Sequence, residues 1–537
     1  MNPQPPVTRM RIAARTSSAA GGALADFPRL HVQLETWRKR FAETGWTPWV
    51  ILGLAVFLRF FLLGIKPPHF DEGINGWFVD QVMKNGFYRY DPTNYHGPLH
   101  FYVLLVSEAL FGRNVWALRL PVVLVSIGCV WLCFKFEPLL GRTVSRIAAL
   151  AMAVSPGFVF YGRYSIHEVW LVLFSMLFIL GLLGLWKFGT PNYLWCAGMG
   201  VAGMILTKET YVIHLGCAAL AIPALMVSNA LNRLPDEKPA RQTWTYVDLA
   251  MVIGVGIVAI VFFYSGTFFH WSGVKGIYQA YAAWFATGHE GHGHEKQWYY
   301  WLELIGRYEL PVAGGLVLCL FCQQFKNLSL RYLAIYGVGT LIAYSIVPYK
   351  TPWCIISFIW PFLFMFGAAI LLIPLRYRFA TYAASAILLC ASLGSTIWLN
   401  YFRCTTDTEP YVYVQTYNDI FKLTEPLLKL AKRNPIYYQL TGHMIRTSAY
   451  PLPWILGDFP HIGYYEHGNS PENLDADFLL VQEDRIKEVE PKLRNAYYTE
   501  PLRIRAYQDT SKLYLSAKIF KEFFPGRSPD FVGKGSG

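Results

Sequence analysis

The chain has 537 residues and a mass of 61.2 kDa, length enough for several soluble domains, but only 15% of it is charged while 54% is hydrophobic and 17% aromatic. An average soluble domain is about 25% charged, and apolar surface on this scale requires a body embedded in lipid. The net charge of +12 is spread over the N-terminal tail and the apolar body, leaving no domain basic enough for a nucleic-acid surface.

Residues 1–47 carry seven Lys/Arg against three Asp/Glu, with no cleavable signal, and read as a basic cytoplasmic tail before an uncleaved anchor. Apolar runs that span or nearly span a bilayer follow near 48–65, 115–134, 147–162, 169–186, 193–207, 211–230, 247–266, 305–325, 332–348, 353–374 and 379–399. The segment 99–112 is apolar but short and carries Glu108. Reading it as a helix lying along the interface places Lys135, Arg142, Arg146, Lys187, Arg233, Lys238, Arg241, Lys326, Arg331, Arg376 and Arg378 on the cytoplasmic side, as the positive-inside bias prefers. The fold class expected is therefore an α-helical polytopic membrane protein of about eleven spans and one interfacial helix, occupying 48–400, followed by a small C-terminal α/β extracytoplasmic domain over 401–525. Within that domain, 410–416, 436–440 and 476–482 read as strands and 418–433 and 484–494 as helices, and 526–537 reads as a disordered tail. Nine cysteines give no disulfide framework, and Cys319 and Cys322, in an apolar run, read as small buried hydrophobes.

This topology gathers titratable groups on the outer face, where a site is expected. After the first span stands Pro67-Pro68-His69-Phe70-Asp71-Glu72-Gly73, two carboxylates at the lipid–water boundary, where desolvation can tune a base; capping of the helix that follows is the bland alternative. His96 and His100 lie further along the same loop, able to hold a metal, donate to phosphate or anchor at the headgroups. The second outer loop brings Arg163, whose planar fork suits phosphate, with His167 and Glu168. Lys208 and Lys350 are single lysines at later outer loops, where snorkelling is common. The stretch His289-Glu290-Gly291-His292-Gly293-His294-Glu295 reads as a flexible lid, with metal binding as the alternative.

Together, Asp71-Glu72, HGPLHFY at 96–102, ALRLPVVL at 117–124, SPGFVFYGRYSIHE at 155–168, LTKET at 206–210 and VPYKTPW at 347–353 resemble the GT-C glycosyltransferases that use polyprenyl-phosphate-linked sugars. Within these the chain is most similar to the protein-mannosyltransferase and aminoarabinose-transferase type, and to the group called flippase-activity-associated proteins. It departs at His96-Gly97-Pro98, where relatives often have Lys-Pro-Pro, and at Glu168, where they often have Asp. The resemblance implies inverting transfer of a sugar from a polyprenyl-phosphate donor to a hydroxyl of a glycan, lipid or protein acceptor at the outer face of the cell membrane. Asp71 would be the base and Glu72 would position the acceptor or a metal. Arg163, Lys208 and Lys350 would hold the donor phosphate, and His96, His100, His167 and Glu168 would position substrate. A divalent cation, if used, would draw on Glu72, His96, Glu168, His289, His292 and His294. The other function classes are a lipid-linked-sugar translocator, or its non-catalytic partner, and a receptor-like module whose external domain binds glycan.

Overall fold

The structure is a computed structural model that describes residues 45–234, 238–290, 293–466 and 468–533. The expected basic tail lies almost wholly outside the described residues. The chain divides into two units, Met1–Val50 and Ile51–Gly537, and the second contains the helical body and the sheet.

Helices occupy every apolar run that the sequence marks. They are α1 (Thr47–Phe60), α2 (Phe70–Asn85), α3 (Leu99–Phe111), α4 (Val115–Lys135), α5 (Arg142–Val154), α6 (Pro156–Tyr161), α7 (Glu168–Phe188), α8 (Pro191–Ile205), α9 (Tyr211–Leu231) and α10 (Tyr246–Tyr264). After them come α11 (Ser272–Glu290), α12 (Tyr300–Tyr308), α13 (Leu310–Cys319), α14 (Leu328–Ile346), α15 (Ile355–Leu372) and α16 (Arg378–Ile397). Six helical segments among the described residues, Val115–Leu140, Glu168–Phe188, Tyr211–Leu231, Tyr246–Tyr264, Pro352–Leu372 and Arg378–Phe402, are long and apolar enough to cross a membrane unaided. Of the other helices, α11 and α14 have 19 residues each and the rest are shorter, α3 being 13 residues as a helix lying at an interface would be. A continuous apolar core runs through α4, α5, α7, α14 and α15. By contrast α10 leaves Ile253, Val255, Ile257 and Val258 exposed, as a lipid-facing helix does.

The C-terminal domain is a five-stranded sheet in the order β2-β1-β3-β5-β4, with β1 (Gly442–Ile445), β2 (Ile462–Tyr465) and β3 (Phe478–Gln482) parallel and β4 (Tyr497–Leu502) and β5 (Ser511–Ser516) antiparallel. The central strand β3 is buried on both faces, which explains its unbroken apolar run. Phe478 and Leu480 join a core under α17 (Phe421–Arg433), while Leu479 and Val481 join a second core on the other face with Tyr514.

Several expectations for this domain need correction. The run 436–440 is a 3-10 turn, because Pro435 cannot donate to a ladder and the Asn434 side chain accepts from Ile436 N at 3.1 Å. The run 410–416 pairs with a strand neighbour only at Thr416, opposite Arg505. Its polar groups are spent on the membrane body instead, the Tyr161 hydroxyl donating to Tyr411 O and Gln415 Nε2 donating to Pro67 O. The segment 484–494 is short turns and a four-residue helix, interrupted at Pro491. Within the expected disordered tail, Asp530 pairs with Tyr497 and its carboxylate accepts from Thr499, so 526–533 returns to the sheet; 534–537 lie outside the described residues.

The domain docks on α2 at two glycines. A Cβ on Gly73 would stand 2.5 Å from Pro451, and one on Gly76 would stand 2.4 Å from the Trp454 ring. Arg113, between Asp80 and the Trp454 carbonyl, completes the junction.

Candidate active site

Helix α2 carries the two expected carboxylates and turns them to different uses. Its N-cap is His69, whose Nδ1 accepts from the backbone N–H of Asp71 at 3.2 Å and whose Nε2 donates to Tyr413 O at 2.9 Å. Capping is thus done without the Asp71 carboxylate, whose side chain is 32% exposed and lines a cavity of about 490 Å³. Burial works against protonation of His69 and lowers its pKa.

Glu72 is fully buried. Its Oε1 accepts from Arg119 Nε (2.8 Å) and Ser165 N (2.9 Å), and its Oε2 from Arg119 Nη2 (2.7 Å) and His69 N (2.8 Å). Burial alone would raise this carboxyl, but the Arg119 guanidinium and the backbone donor bring it down to about 2. With four donors on two oxygens, Glu72 has no capacity left for an acceptor or a metal. It ties together α4, the start of α2 and the loop that carries Ser165. Arg119 was not among the expected site residues, although a charge inside an apolar run asks for a partner.

The two halves of the cavity meet at Gly97. Its N–H donates to Thr207 O at 3.2 Å, and a Cβ there would fall 2.2 Å from Leu206 O, so only glycine allows the contact. This sets His96 Nδ1 2.9 Å from Glu209 Oε2. Lys208 Nζ lies 2.8 Å from Glu168 Oε1 and 3.6 Å from Glu209 Oε1. Burial opposes the Lys208 charge, yet the two carboxylates prevail and hold its pKa well above the ordinary lysine value. Glu209 is buried too, but Lys208 and His96 keep its carboxyl below the ordinary range. His167 packs between His96, tilted at 4.6 Å, and His100, edge-on at 4.5 Å between ring centres. Burial keeps His167 neutral, and its Nε2 has no hydrogen-bond partner. The rest of the lining is largely aromatic and aliphatic, with Tyr95, Trp284, Phe285, Trp301, Tyr349 and Trp353.

Asp71, His96, His167, Glu168 and Lys208 therefore line one cavity, and Glu209 joins them. The remaining expected residues lie elsewhere. Arg163 donates to Leu58 O, Phe61 O and Leu62 O at 3.0, 2.8 and 2.6 Å, closing the carbonyl end of α1 and its following turn, so its fork is already occupied. Lys350 donates to the carbonyls of Val347 and Lys296 and is not part of the lining. His100 sits behind His167 and accepts from Trp170 Nε1 at 3.1 Å. His294 meets the Tyr413 hydroxyl at 2.6 Å, and its strand segment is fixed by the bridge between Glu295 and Tyr349. The His289 side chain and His292 lie outside the described residues.

Among the described residues the expected metal set does not assemble. Glu72 is saturated, Glu168 holds Lys208 and His96 holds Glu209, and no group of three or more His, Cys, Asp or Glu among the described residues could hold an ion.

Residues 95–264, which carry His96, His167, Glu168, Lys208 and Glu209 of this cavity, match the family model described as dolichyl-phosphate-mannose-protein mannosyltransferase. Two putative mannosyltransferases of Bacillus subtilis (strain 168) are similar over short stretches. YkcB is 32% identical over 107 residues, 20% of this chain and 14% of its own length, and YycA is 30% identical over 84 residues, 14% of this chain and 12% of its own. Among solved structures, ArnT from Cupriavidus metallidurans bound to undecaprenyl phosphate aligns over 89% of this chain and 98% of its own, with a TM-score of 0.58 at 14% identity. Its apo state aligns over 94% and 99%, with a TM-score of 0.57 at 14% identity. With the helical body, the cavity and the C-terminal sheet all in place, the chain is a multi-pass membrane protein with the fold of the GT-C superfamily.

Proposed function

We propose that this chain is a membrane glycosyltransferase that moves a sugar from a polyprenyl-phosphate donor to an acceptor hydroxyl at the outer face of the membrane. The observation that carries the reading is the placement of an accessible carboxylate, Asp71, and a lysine kept charged, Lys208, on the walls of one largely apolar cavity. The match to a mannosyltransferase family model over 95–264 and the likeness of fold to a protein crystallised with undecaprenyl phosphate support it.

In this reading the acceptor oxygen attacks the anomeric carbon and gives its proton to Asp71. The bond from that carbon to the phosphate oxygen breaks, inverting the centre, and polyprenyl phosphate leaves. Lys208 faces the charge that gathers on the phosphate, and a cation already fixed by Glu168 and Glu209 needs little reorganisation to do so. Aromatic walls exclude water and accept the sugar face and the first prenyl units. No step is routed through a metal. The N-terminus would be cytoplasmic and the C-terminal sheet extracytoplasmic.

The test is release of polyprenyl phosphate from short-chain polyprenyl-phosphate sugars by detergent-purified protein, measured by mass spectrometry over candidate acceptors. Asp71→Asn, nearly isosteric and not needed as a cap, should abolish release while the protein stays folded. Release undiminished in Asp71→Asn would reject Asp71 as the base. No release by the wild-type protein with any donor, together with lipid scrambling in proteoliposomes, would favour translocation.

A further inference from the structure

Two arginines of the C-terminal domain are buried without the partners that every other deeply buried guanidinium in the outer half has. Arg119 is answered by the Glu72 carboxylate, and Arg163 by three carbonyl oxygens. Arg446, which directly follows β1, is 2% exposed and Arg505 is 8% exposed. Arg446 donates Nη1 to Ser511 Oγ at 2.7 Å and Nη2 to Gln508 Oε1 at 2.9 Å, and its Nε has no partner. Arg505 donates Nη2 to Ser448 Oγ at 3.3 Å, and its Nη1 has none. Beside Arg505 the buried hydroxyl of Thr416 is also without a partner. The two guanidinium groups are linked through Ser448 and Gln508, and Arg446 is near enough to disfavour the charge of Arg505.

Like charges held together out of water, with only hydroxyls and an amide as acceptors, are costly unless an anion completes them. Among the described residues no carboxylate comes within 4 Å of either group; Asp509 and Asp71 act on them from further away. Their position in the fold also points to a ligand. Strands β1 and β3 are parallel, the chain leaves β1 to one side for β2 and returns on the other for β3, and open α/β sheets bind ligands beyond the carboxyl ends of strands at such a point. Here that end is turned to the membrane body, for the Arg505 guanidinium lies 3.7 Å from the centre of the Phe70 ring, and Phe70 precedes Asp71. The following turn ends in Gln508 and carries Tyr507, 85% exposed, so only this turn's own side chains stand between the pair and solvent on that side.

We propose that Arg446 and Arg505 form a binding site for an anionic group, phosphate or carboxylate, on the acceptor, and so bring its hydroxyl to Asp71. The assignment of the ligand to the acceptor rests on the transferase reading; the anion site itself does not. The acceptor would then be an acidic molecule gripped by the external domain, while the donor phosphate is met by Lys208 on the other wall.

The experiment is equilibrium binding to the full-length detergent-purified protein without turnover. Inorganic phosphate and glucuronate are titrated at constant ionic strength, with sodium chloride as control, and read by thermal unfolding. The wild-type protein should show a saturable stabilisation with at least one probe. Arg446→Met and Arg505→Met should each weaken it roughly tenfold or more, the equivalent of one lost charge-assisted hydrogen bond. Arg505→Lys keeps the charge but loses the fork, so it should fold like the wild type and bind between the two. No stabilisation of the wild type, or an unchanged midpoint in Arg505→Lys or either Met variant, would overturn the proposal. Undecaprenyl phosphate is titrated in parallel. Equal binding to wild type and Arg505→Met supports the acceptor assignment; a parallel loss would make this the donor's phosphate site and overturn it. Failure of the Asp71→Asn assay would leave these titrations readable, so the two ideas fail separately.

Discussion

Adjacent carboxylates have opposite fates here. Asp71 reaches the cavity, whereas Glu72 is spent on Arg119, His69 and Ser165. Glu72→Gln leaves Arg119 buried without its counter-charge and should destabilise the fold by about 3–5 kcal/mol, seen as a large drop in thermal unfolding temperature; an Asp71→Asn protein should unfold near the wild-type temperature. The shifts of His69, His167 and Glu72 also fix the pH response. His69 and His167 are held neutral in the fold, so the unfolded chain gains protons that the folded one refuses once pH falls below about 6.5. Glu72, lowered to about 2, contributes stability that is complete above the unfolded carboxyl value of about 4.5 and is lost between there and about 2. Stability should therefore fall from pH 7.5 to 5 and more steeply below 4.5, and a flat unfolding temperature over pH 7.5–5 would contradict it. Lys208→Met leaves Glu168 and Glu209 facing the cavity without their cation. It should cost roughly a hundredfold or more in kcat/KM for the donor, and the double variant with Glu168→Gln should recover folding but not activity.

At the level of elements, α2 is both the support of Asp71 and the landing for the C-terminal domain. Gly76→Ala adds a methyl where the Trp454 ring stands 2.4 Å away, so the domain has to shift, at about 1–3 kcal/mol for an overpacked contact. Protease should then cut the 405–417 connection faster than in the wild type. The same scale shows what could be read beforehand. The helices and the meeting of 71, 96, 167, 168 and 208 were legible because titratable residues stand just beyond the ends of apolar runs. The fates of Arg163 and Lys350 were not, since both depend on carbonyls that only the fold brings near. Arg505 carried no local signal at all, because its meaning comes from Phe70, more than four hundred residues away in the chain. In the sheet, β1 and β2 are four-residue strands with a glycine in each, too short for alternation to show, whereas the apolar run of β3 stood out.

For the whole molecule, the proposed orientation predicts where water-soluble reagents reach. A cysteine placed at Ser470, in the sheet domain, should react with an impermeant maleimide in intact spheroplasts, in a background lacking the exposed Cys390. One placed at Lys238, between α9 and α10, should react only after lysis; the reverse pattern would invert the topology. The helical body leaves Leu220, Met226, Val255 and Val258 more than half exposed, so these labels must be read in membranes, where lipid covers that surface. The hub built on Glu72 also bears on how such chains drift. A copy of this fold released from its chemistry would be free to change Asp71, which no backbone group requires, but would still need the glutamate and Arg119 to assemble. In a duplicated gene, retention of the second acid alone would therefore mark inherited architecture, while loss of the first would be the earliest trace of a transferase becoming a scaffold.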